Sequence, residues 1–222
     1  MKIIIFDGGP RKGWNTARMC ESFAAGAAEA GAEVETVRLY DLDFKGCRSC
    51  FACKVKGGAS DGRCAQRDGA GGLLERAAQA DGLVFASPVY LWTVTPQLHA
   101  FIERLIFPLV SYAKSGASPE HKRAETAMIY TMNVEEPLFE QMFIADGRGP
   151  LAAFESFIGR VFTKPERVCA FNTYQFTDYA KYDADKWDEA EKKKWRDEEF
   201  PKELLAAREA GRRMAEKIKA KG

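Results

Sequence analysis

The N-terminal residues place a short basic loop between a strand pattern and a helix pattern. The apolar run Lys2–Phe6 predicts a buried strand, and a helical pattern begins at Thr16 and ends near Gly31, a residue suited to a helix C-cap. The loop at 8–16 reads Gly-Gly-Pro-Arg-Lys-Gly-Trp-Asn-Thr. Backbone N–H groups at a helix N-terminus attract anions, and small loop residues let a phosphate approach. A phosphate-bearing cofactor is therefore the leading hypothesis for the ligand of this loop.

Short apolar runs alternate with longer amphipathic stretches along the rest of the chain. This alternation favours right-handed βαβ crossovers and a mostly parallel sheet with helices on both faces. The expected fold class is α/β, a flavodoxin-like three-layer sandwich whose five strands have the order 2-1-3-4-5, with the ligand crevice beyond the carboxyl ends of strands 1 and 3. Strands are predicted at about 2–6, 33–38, 82–87, 126–132 and 166–171, and helices at about 16–30, 70–80, 95–110, 150–162 and 200–220.

Composition removes several classes of function. The 222 residues suit one α/β domain, and 33 basic residues nearly balance 32 acidic ones, so nucleic acid and anionic membrane surfaces are not expected partners. No apolar stretch approaches the roughly 20 residues that span a bilayer, and the first apolar run is too short for a secretory signal. We therefore expect a cytoplasmic protein.

Two segments depart from the simple alternation within the single domain expected over 1–222. Residues 40 to 70, approximately, form a glycine- and cysteine-rich insertion, and a loop of that length in a compact domain is usually functional or disordered. The region from about 175 to 222 is a charged helical extension with several aromatic side chains. We expect a solvated segment that leads into an amphipathic closing helix, and a subunit contact is the alternative.

A second loop is expected beside the first. The stretch Ser-Pro-Val-Tyr-Leu-Trp-Thr at 87–93 follows the third predicted strand and precedes a helix pattern. In the order 2-1-3-4-5 this stretch lies at the switch point, next to the phosphate loop. Its two large rings, Tyr90 and Trp92, offer the apolar face on which a flat heteroaromatic ligand could lie. Cover for the underlying helix is the alternative role for these rings.

These motifs together resemble those of the NADPH-dependent FMN reductase superfamily. The first loop is similar to its Gly-Ser-Pro-Arg…Asn-Thr signature. The second loop and the following Gln-Leu-His-Ala-Phe-Ile-Glu-Arg at 97–104 are similar to its Pro-x-Tyr loop and helix. The cysteines at 46–64 resemble the motif of the iron–sulfur flavoprotein branch and its clusterless relatives. The resemblance covers residues 1 to 133, approximately, and is weaker beyond.

The resemblance implies a bound FMN and the residues that would hold it. Gly9 stands where the family has serine, so one hydroxyl donor is lost and weaker phosphate binding is expected, although the N–H of Gly9 is retained. The residues implied at the phosphate are Gly9, Arg11, Asn15 and Thr16. Those implied at the isoalloxazine ring are Pro88, Val89, Tyr90, Leu91, Trp92 and Thr93, with Met132 and Asn133 from the loop after strand 4.

Four of the six cysteines crowd between positions 47 and 64, which in a reducing compartment indicates metal or redox chemistry. The spacing of Cys47, Cys50 and Cys53 would let three thiolates converge on one [4Fe–4S] cluster, with Cys64 as a fourth ligand. Free or redox-active thiols are the second possibility, and a zinc site is a third. The other two cysteines are expected to be small buried apolar residues: Cys20 and Cys169.

The resemblance implies an FMN-dependent NAD(P)H oxidoreductase that passes electrons to a small-molecule or protein acceptor. No protein side chain is expected to act as acid or base, because the flavin carries the chemistry. An electron carrier without an organic substrate of its own is the main alternative, and a redox sensor built on the cysteine loop is a third. A homodimer or homotetramer is expected.

Overall fold

The computed structural model describes residues 1–60, 62–112, 114 and 121–221, so residue 61 of the cysteine-rich insertion and residue 222 of the extension lie outside the described residues. Five parallel strands form one sheet and, numbered along the chain, have the order 2-1-3-4-5, which confirms the predicted topology. No described helix combines the length and apolar character needed to cross a bilayer. The strands are β1 (Lys2–Asp7), β2 (Glu33–Arg38), β3 (Gly82–Pro88), β4 (Glu125–Thr131) and β5 (Glu166–Ala170).

The five predicted helices are all present within a few residues of their expected ends. Two further helices in the described residues, Glu136–Phe139 and Glu189–Glu198, were not predicted, and the first continues directly into a π-helical turn at Glu140–Ile144. The helices are α1 (Asn15–Glu29), α2 (Gly71–Gln79), α3 (Pro96–Ile106), α4 (Glu136–Phe139), α5 (Pro150–Val161), α6 (Glu189–Glu198) and α7 (Phe200–Lys219).

The central strands β1, β3 and β4 are buried on both faces, as expected for the middle of a parallel sheet. On one face, Ile3 and Ile5 pack with apolar residues of α1 and α7. On the other face, Ile4 and Phe6 pack with residues of α2, α3 and α5. Cys20 is buried in the first core, as expected, and Cys169 is partly buried against the second.

Two glycines bring α1 and α7 into close contact. A Cβ at Gly26 would lie 1.8 Å from the backbone oxygen of Arg208, and one at Gly211 would lie 2.0 Å from the backbone oxygen of Phe23. Such distances exclude any side chain without movement of a helix backbone. The closing helix is therefore fixed on the first helix by backbone proximity as well as by its apolar face.

The segment between β5 and α7 is a packed part of the domain, which corrects the expectation of a solvated excursion. Tyr174, Tyr179 and Ala184 are buried together, with Phe176 and Trp187 against them. The physical reason is that aromatic side chains spaced along the segment bury one another, while its charged side chains, apart from Lys192, remain at or near the surface. The sequence pattern shows the aromatics but not that they meet.

The extension is also attached to the end of β5 by Glu203 of α7. Oε1 of Glu203 accepts a hydrogen bond from the N–H of Phe171 at 2.8 Å, and Oε2 is buried without a hydrogen-bond partner among the described residues. Burial raises the pKa of Glu203 to about 7. In the folded state the protonated carboxyl is therefore favoured at pH values below about 7.

We predict that Glu203→Gln removes a pH dependence of stability. Because the folded-state pKa lies above the unfolded value of about 4.3, the folded protein binds more protons between these values, and stability falls as pH rises through that window and levels off above pH 7. Between pH 5 and pH 8, the free energy of unfolding of wild type should fall by on the order of 1–2 kcal/mol more than that of the variant, after allowance for the partial exposure of Glu203.

Urea unfolding of both proteins at pH 5 and pH 8 measures this difference. Glu216→Gln is the matched control, because Glu216 is an exposed carboxylate on the same helix, and it should retain the wild-type pH dependence. If the free energy of unfolding falls between pH 5 and pH 8 as much in Glu203→Gln as in wild type, the prediction is wrong.

Candidate functional site

The ends of β1 and β3 are joined at Gly8. Its N–H donates to the backbone oxygen of Ala86 at 2.8 Å, and its own oxygen accepts from Oγ1 of Thr95 at 2.8 Å. Thr95 in turn donates its N–H to Oγ of Ser87 at 2.9 Å. A Cβ at Gly8 would lie 2.9 Å from the oxygen of Ala86, so only glycine permits this approach. The two loops singled out in the sequence are therefore held side by side.

A pocket of about 110 Å³ lies where these loops meet the ends of β4 and β5. Most of the predicted site residues line this pocket. Several further lining residues were not predicted, and they come from the first loop, from the end of β4 and from the start of the C-terminal extension. The predicted residues in its wall are Gly9, Arg11, Asn15, Thr16, Pro88, Val89, Tyr90, Met132 and Asn133. The additional ones are Pro10, Trp14, Thr131, Thr173 and Gln175.

Three predicted residues, Leu91, Trp92 and Thr93, are not in the wall of this pocket. Tyr90 and Thr93 exchange backbone hydrogen bonds of 2.8 and 3.0 Å, which closes a tight turn. Leu91 and Trp92 occupy its corners with φ of 44° and 73°, and Leu91 is 93% exposed. The ring of Trp92 lies 4.9 Å from that of Phe143. Contact between these three residues and a flavin stays a prediction.

The side chains of Arg11 and Asn15 in the first loop are oriented by the C-terminal extension. Nη1 of Arg11 donates to the backbone oxygen of Gln175 at 2.6 Å, and Nδ2 of Asn15 donates to that of Tyr174 at 3.0 Å. The Arg11 guanidinium also lies 4.4 Å from the centre of the Trp14 ring. Partial burial lowers the pKa of Arg11. The arginine remains a cation at neutral pH, since an arginine pKa lies far above that range.

Asp7 explains why glycine occupies the position of the family serine. The buried Oδ1 of Asp7 accepts the N–H of Gly9 at 2.8 Å, and Oδ2 lies 3.1 Å from Nη1 of Arg38. Burial raises the pKa of Asp7 despite both contacts. A Cβ at Gly9 would lie 2.9 Å from Oδ1. The N–H of Gly9, expected to be available for phosphate, is therefore already engaged by Asp7.

The first loop also carries a donor suited to an anion. Trp14 lines the pocket, and its buried indole Nε1 has no hydrogen-bond partner within the described ranges. A buried donor without a partner costs free energy, which a bound acceptor would offset. Thr16 is different, because its Oγ1 is already 2.8 Å from Oγ1 of Thr131 in a buried contact. Trp14 and Arg11 therefore fit a phosphate group, and Thr16 ties α1 to β4.

The four clustered cysteines face a second, much smaller hollow of about 20 Å³. Its wall contains Cys47, Cys50, Cys53 and Cys64, and all four are free thiols. The N–H of Ala52 lowers the pKa of Cys50, whereas partial burial raises that of Cys53. In the part of the chain that is described, no three cysteine, histidine or acidic residues are arranged to hold a metal ion. The thiols therefore share one hollow without forming a ligand set in this conformation.

A buried arginine organises the wall of this hollow. Arg104 of α3 donates from Nε to Sγ of Cys64 at 3.3 Å and from Nη1 to Oδ2 of Asp68 at 2.7 Å. It also donates to the backbone oxygens of Lys45 and Gln66. This one side chain therefore links both ends of the cysteine-rich insertion to the helix that follows the second loop.

Comparison with known proteins identifies the class that this fold and pocket define. Residues 1–131 match the family model described as NADPH-dependent FMN reductase, so the chain belongs to that family. One solved structure that is similar to this chain is an NAD(P)H:quinone oxidoreductase from Methanothermobacter marburgensis. Its TM-score is 0.67, and it is 18% identical, with 96% of both chains covered. Another is an FMN-dependent NADH-azoreductase from Bacillus anthracis in complex with FMN, with a TM-score of 0.63 and 14% identity over 97% of this chain and all of that one.

Curated relatives are more similar in sequence over the N-terminal half. An iron-sulfur flavoprotein of Archaeoglobus fulgidus is 33% identical over 106 residues, which is 48% of this chain and 46% of the relative. One of Methanosarcina thermophila is 31% identical over 106 residues, which is 48% of this chain and 53% of the relative. The alignments thus span about half the length of the curated relatives that the chain matches.

Proposed function

We propose that this chain binds FMN in the pocket between the first loop, the second loop and the ends of β4 and β5, and acts as an NAD(P)H-dependent oxidoreductase. One observation carries the proposal. In a member of the NADPH-dependent FMN reductase family, the side chains of Arg11, Trp14 and Tyr90 line one pocket, and the buried indole nitrogen of Trp14 has no hydrogen-bond partner among the described residues. A phosphate with a flat ring system needs this combination.

Each group of residues has a separate task in this proposal. Arg11, Asn15 and Trp14 hold the phosphoryl group by charge and hydrogen bonds. Tyr90 and the neighbouring Pro88 and Val89 provide the apolar surface for the ring. Bound FMN would supply the redox chemistry, taking a hydride from NAD(P)H and passing two electrons to a small-molecule or protein acceptor. The protein contributes binding, orientation and electrostatics.

We predict that Arg11→Gln weakens binding of FMN about tenfold or more and leaves binding of riboflavin nearly unchanged. A charge-assisted contact contributes about 1.5–3 kcal/mol, and only FMN carries the phosphate that receives it. Quenching of flavin fluorescence on titration measures both affinities. Lys12→Gln is the control, since Lys12 is exposed and does not line the pocket, and it should change neither affinity more than slightly. An equal loss for both flavins would mean that Arg11 does not bind the phosphate.

Reduction by a nicotinamide tests the activity itself. Under anaerobic conditions, FMN-loaded protein mixed with NADH or NADPH should lose its flavin absorbance rapidly, because hydride transfer reduces the ring. Absence of bleaching with either nucleotide, with normal reduction by dithionite, would favour the alternative of an electron carrier fed by a protein donor. The names of the curated relatives and the cysteine hollow are the observations behind that alternative. The homodimer or homotetramer stays a prediction.

The four clustered cysteines do not form a metal-ligand set among the described residues, so free thiols are the state to be tested against a [4Fe–4S] cluster or zinc. We predict that anaerobically purified protein contains no stoichiometric iron, acid-labile sulfide or zinc. A thiol reagent should modify the clustered cysteines of the native protein, and Cys20 and Cys169 only after unfolding, because burial raises the pKa of both thiols. Stoichiometric iron and sulfide would establish the cluster instead.

A further inference from the structure

One cation is buried immediately behind the pocket. Lys192 belongs to α6, a helix composed mainly of charged residues, yet it is only 3% exposed. Its Nζ donates to the backbone oxygen of Asn133 at 3.2 Å and to the Oδ1 atoms of Asn133 and Asn172. Lysine is rarely buried without an acidic partner within hydrogen-bond distance, so this placement calls for an explanation.

Backbone hydrogen bonds join the two loops that receive this cation. Asn133 lines the pocket, and it follows the end of β4 as Asn172 follows the end of β5. The N–H of Asn172 donates to the backbone oxygen of Val134 at 2.9 Å, and the N–H of Thr173 donates to that of Met132 at 2.9 Å. Asn172 also has a φ of 44°, in the left-handed region that asparagine tolerates. The ammonium group is thus held at a built site.

The chemistry of lysine determines which end of the Asn133 amide faces the pocket. An ammonium group has three donors and no acceptor, so the amide must present its oxygen to Nζ. The Nδ2 hydrogens of Asn133 then remain to donate to a ligand. A ring with acceptor atoms along its edge, such as an isoalloxazine, is a suitable partner for such a donor.

The buried charge has a cost in stability. Burial lowers the pKa of Lys192 to about 8, although the carboxylate of Glu135 acts in the opposite direction. Because this value lies below that of an unfolded lysine, the charged form destabilises the folded state at pH values below about 8. Loss of the charge is therefore not expected to unfold the protein.

We propose that Lys192 is a positioning residue of the flavin site that also sets its electrostatics. It fixes Asn133 with its amide nitrogen available to the ring, and its positive charge stabilises the negative charge that the ring gains when a hydride is added without a proton. The inference rests on the proposed FMN site. According to this inference, α6 influences the redox behaviour of the cofactor, although α6 lies outside the region that the family model matches.

The test compares the affinities for oxidised and reduced FMN in two variants. Lys192→Gln keeps a donor for the asparagine oxygens and removes the charge, whereas Lys192→Met removes both. With Lys192→Gln, the dissociation constant of reduced FMN should rise about tenfold more than that of oxidised FMN, so the two-electron midpoint potential falls by about 30 mV. Lys192→Met should in addition weaken the binding of oxidised FMN. Both constants are measured anaerobically by ultrafiltration, and the potential by dithionite titration with a reference dye.

Lys194→Met is the matched control, because it removes the same charge from an exposed position of the same helix and should leave the potential unchanged. Thermal unfolding of each variant verifies that it is folded. If wild type and Lys192→Gln bind oxidised and reduced FMN with the same ratio of affinities, the role of Lys192 is wrong and the FMN site stands. If wild type binds neither form, the proposed function is wrong, and the role of Lys192 is wrong with it.

Discussion

The close approach of Gly8 to β3 is the contact on which the arrangement of the candidate site depends. Because no side chain separates the end of β1 from Ala86, β1 pairs with β3 up to its last residue, Asp7, and both following loops start at the same edge of the sheet. Thr95 then joins the start of α3 to Gly8 through a buried hydrogen bond. This junction explains how loops separated by about seventy residues in sequence form one pocket, as the switch point of an open parallel sheet requires.

The second half of the site comes from the C-terminal extension. Backbone oxygens of Tyr174 and Gln175 orient the side chains of Asn15 and Arg11, and Lys192 holds the loop that contains Asn133. The extension is in turn attached to the end of β5 by Glu203 and to α1 by the backbone contact between α1 and α7. Packing on one side of the sheet therefore influences the geometry of a pocket at its edge.

Most of the fold was predictable because its signals are local. An apolar run such as Ile3–Phe6 indicates a central parallel strand, and Gly31 indicates the end of a helix by its backbone freedom alone. Glycine and basic residues next to a helix start likewise indicate an anion site. The turn at Leu91 and Trp92 was less predictable, because both residues have a positive φ, which leucine and tryptophan rarely adopt. This backbone conformation decides the direction of their side chains.

The sequence by itself determined the order of strands and helices, the family, and the residues of the first loop, because each depends on short-range patterns. Tertiary structure alone decided that Gly9 faces the carboxylate of Asp7, that the four clustered thiols share a hollow without converging on a metal ion within the described residues, and that Lys192 turns inward from a polar helix. Each of these outcomes depends on a partner distant in the chain or on how a loop packs. The sequence pattern of a charged helix does not indicate which of its charged side chains becomes buried, because burial depends on the surface against which the helix packs.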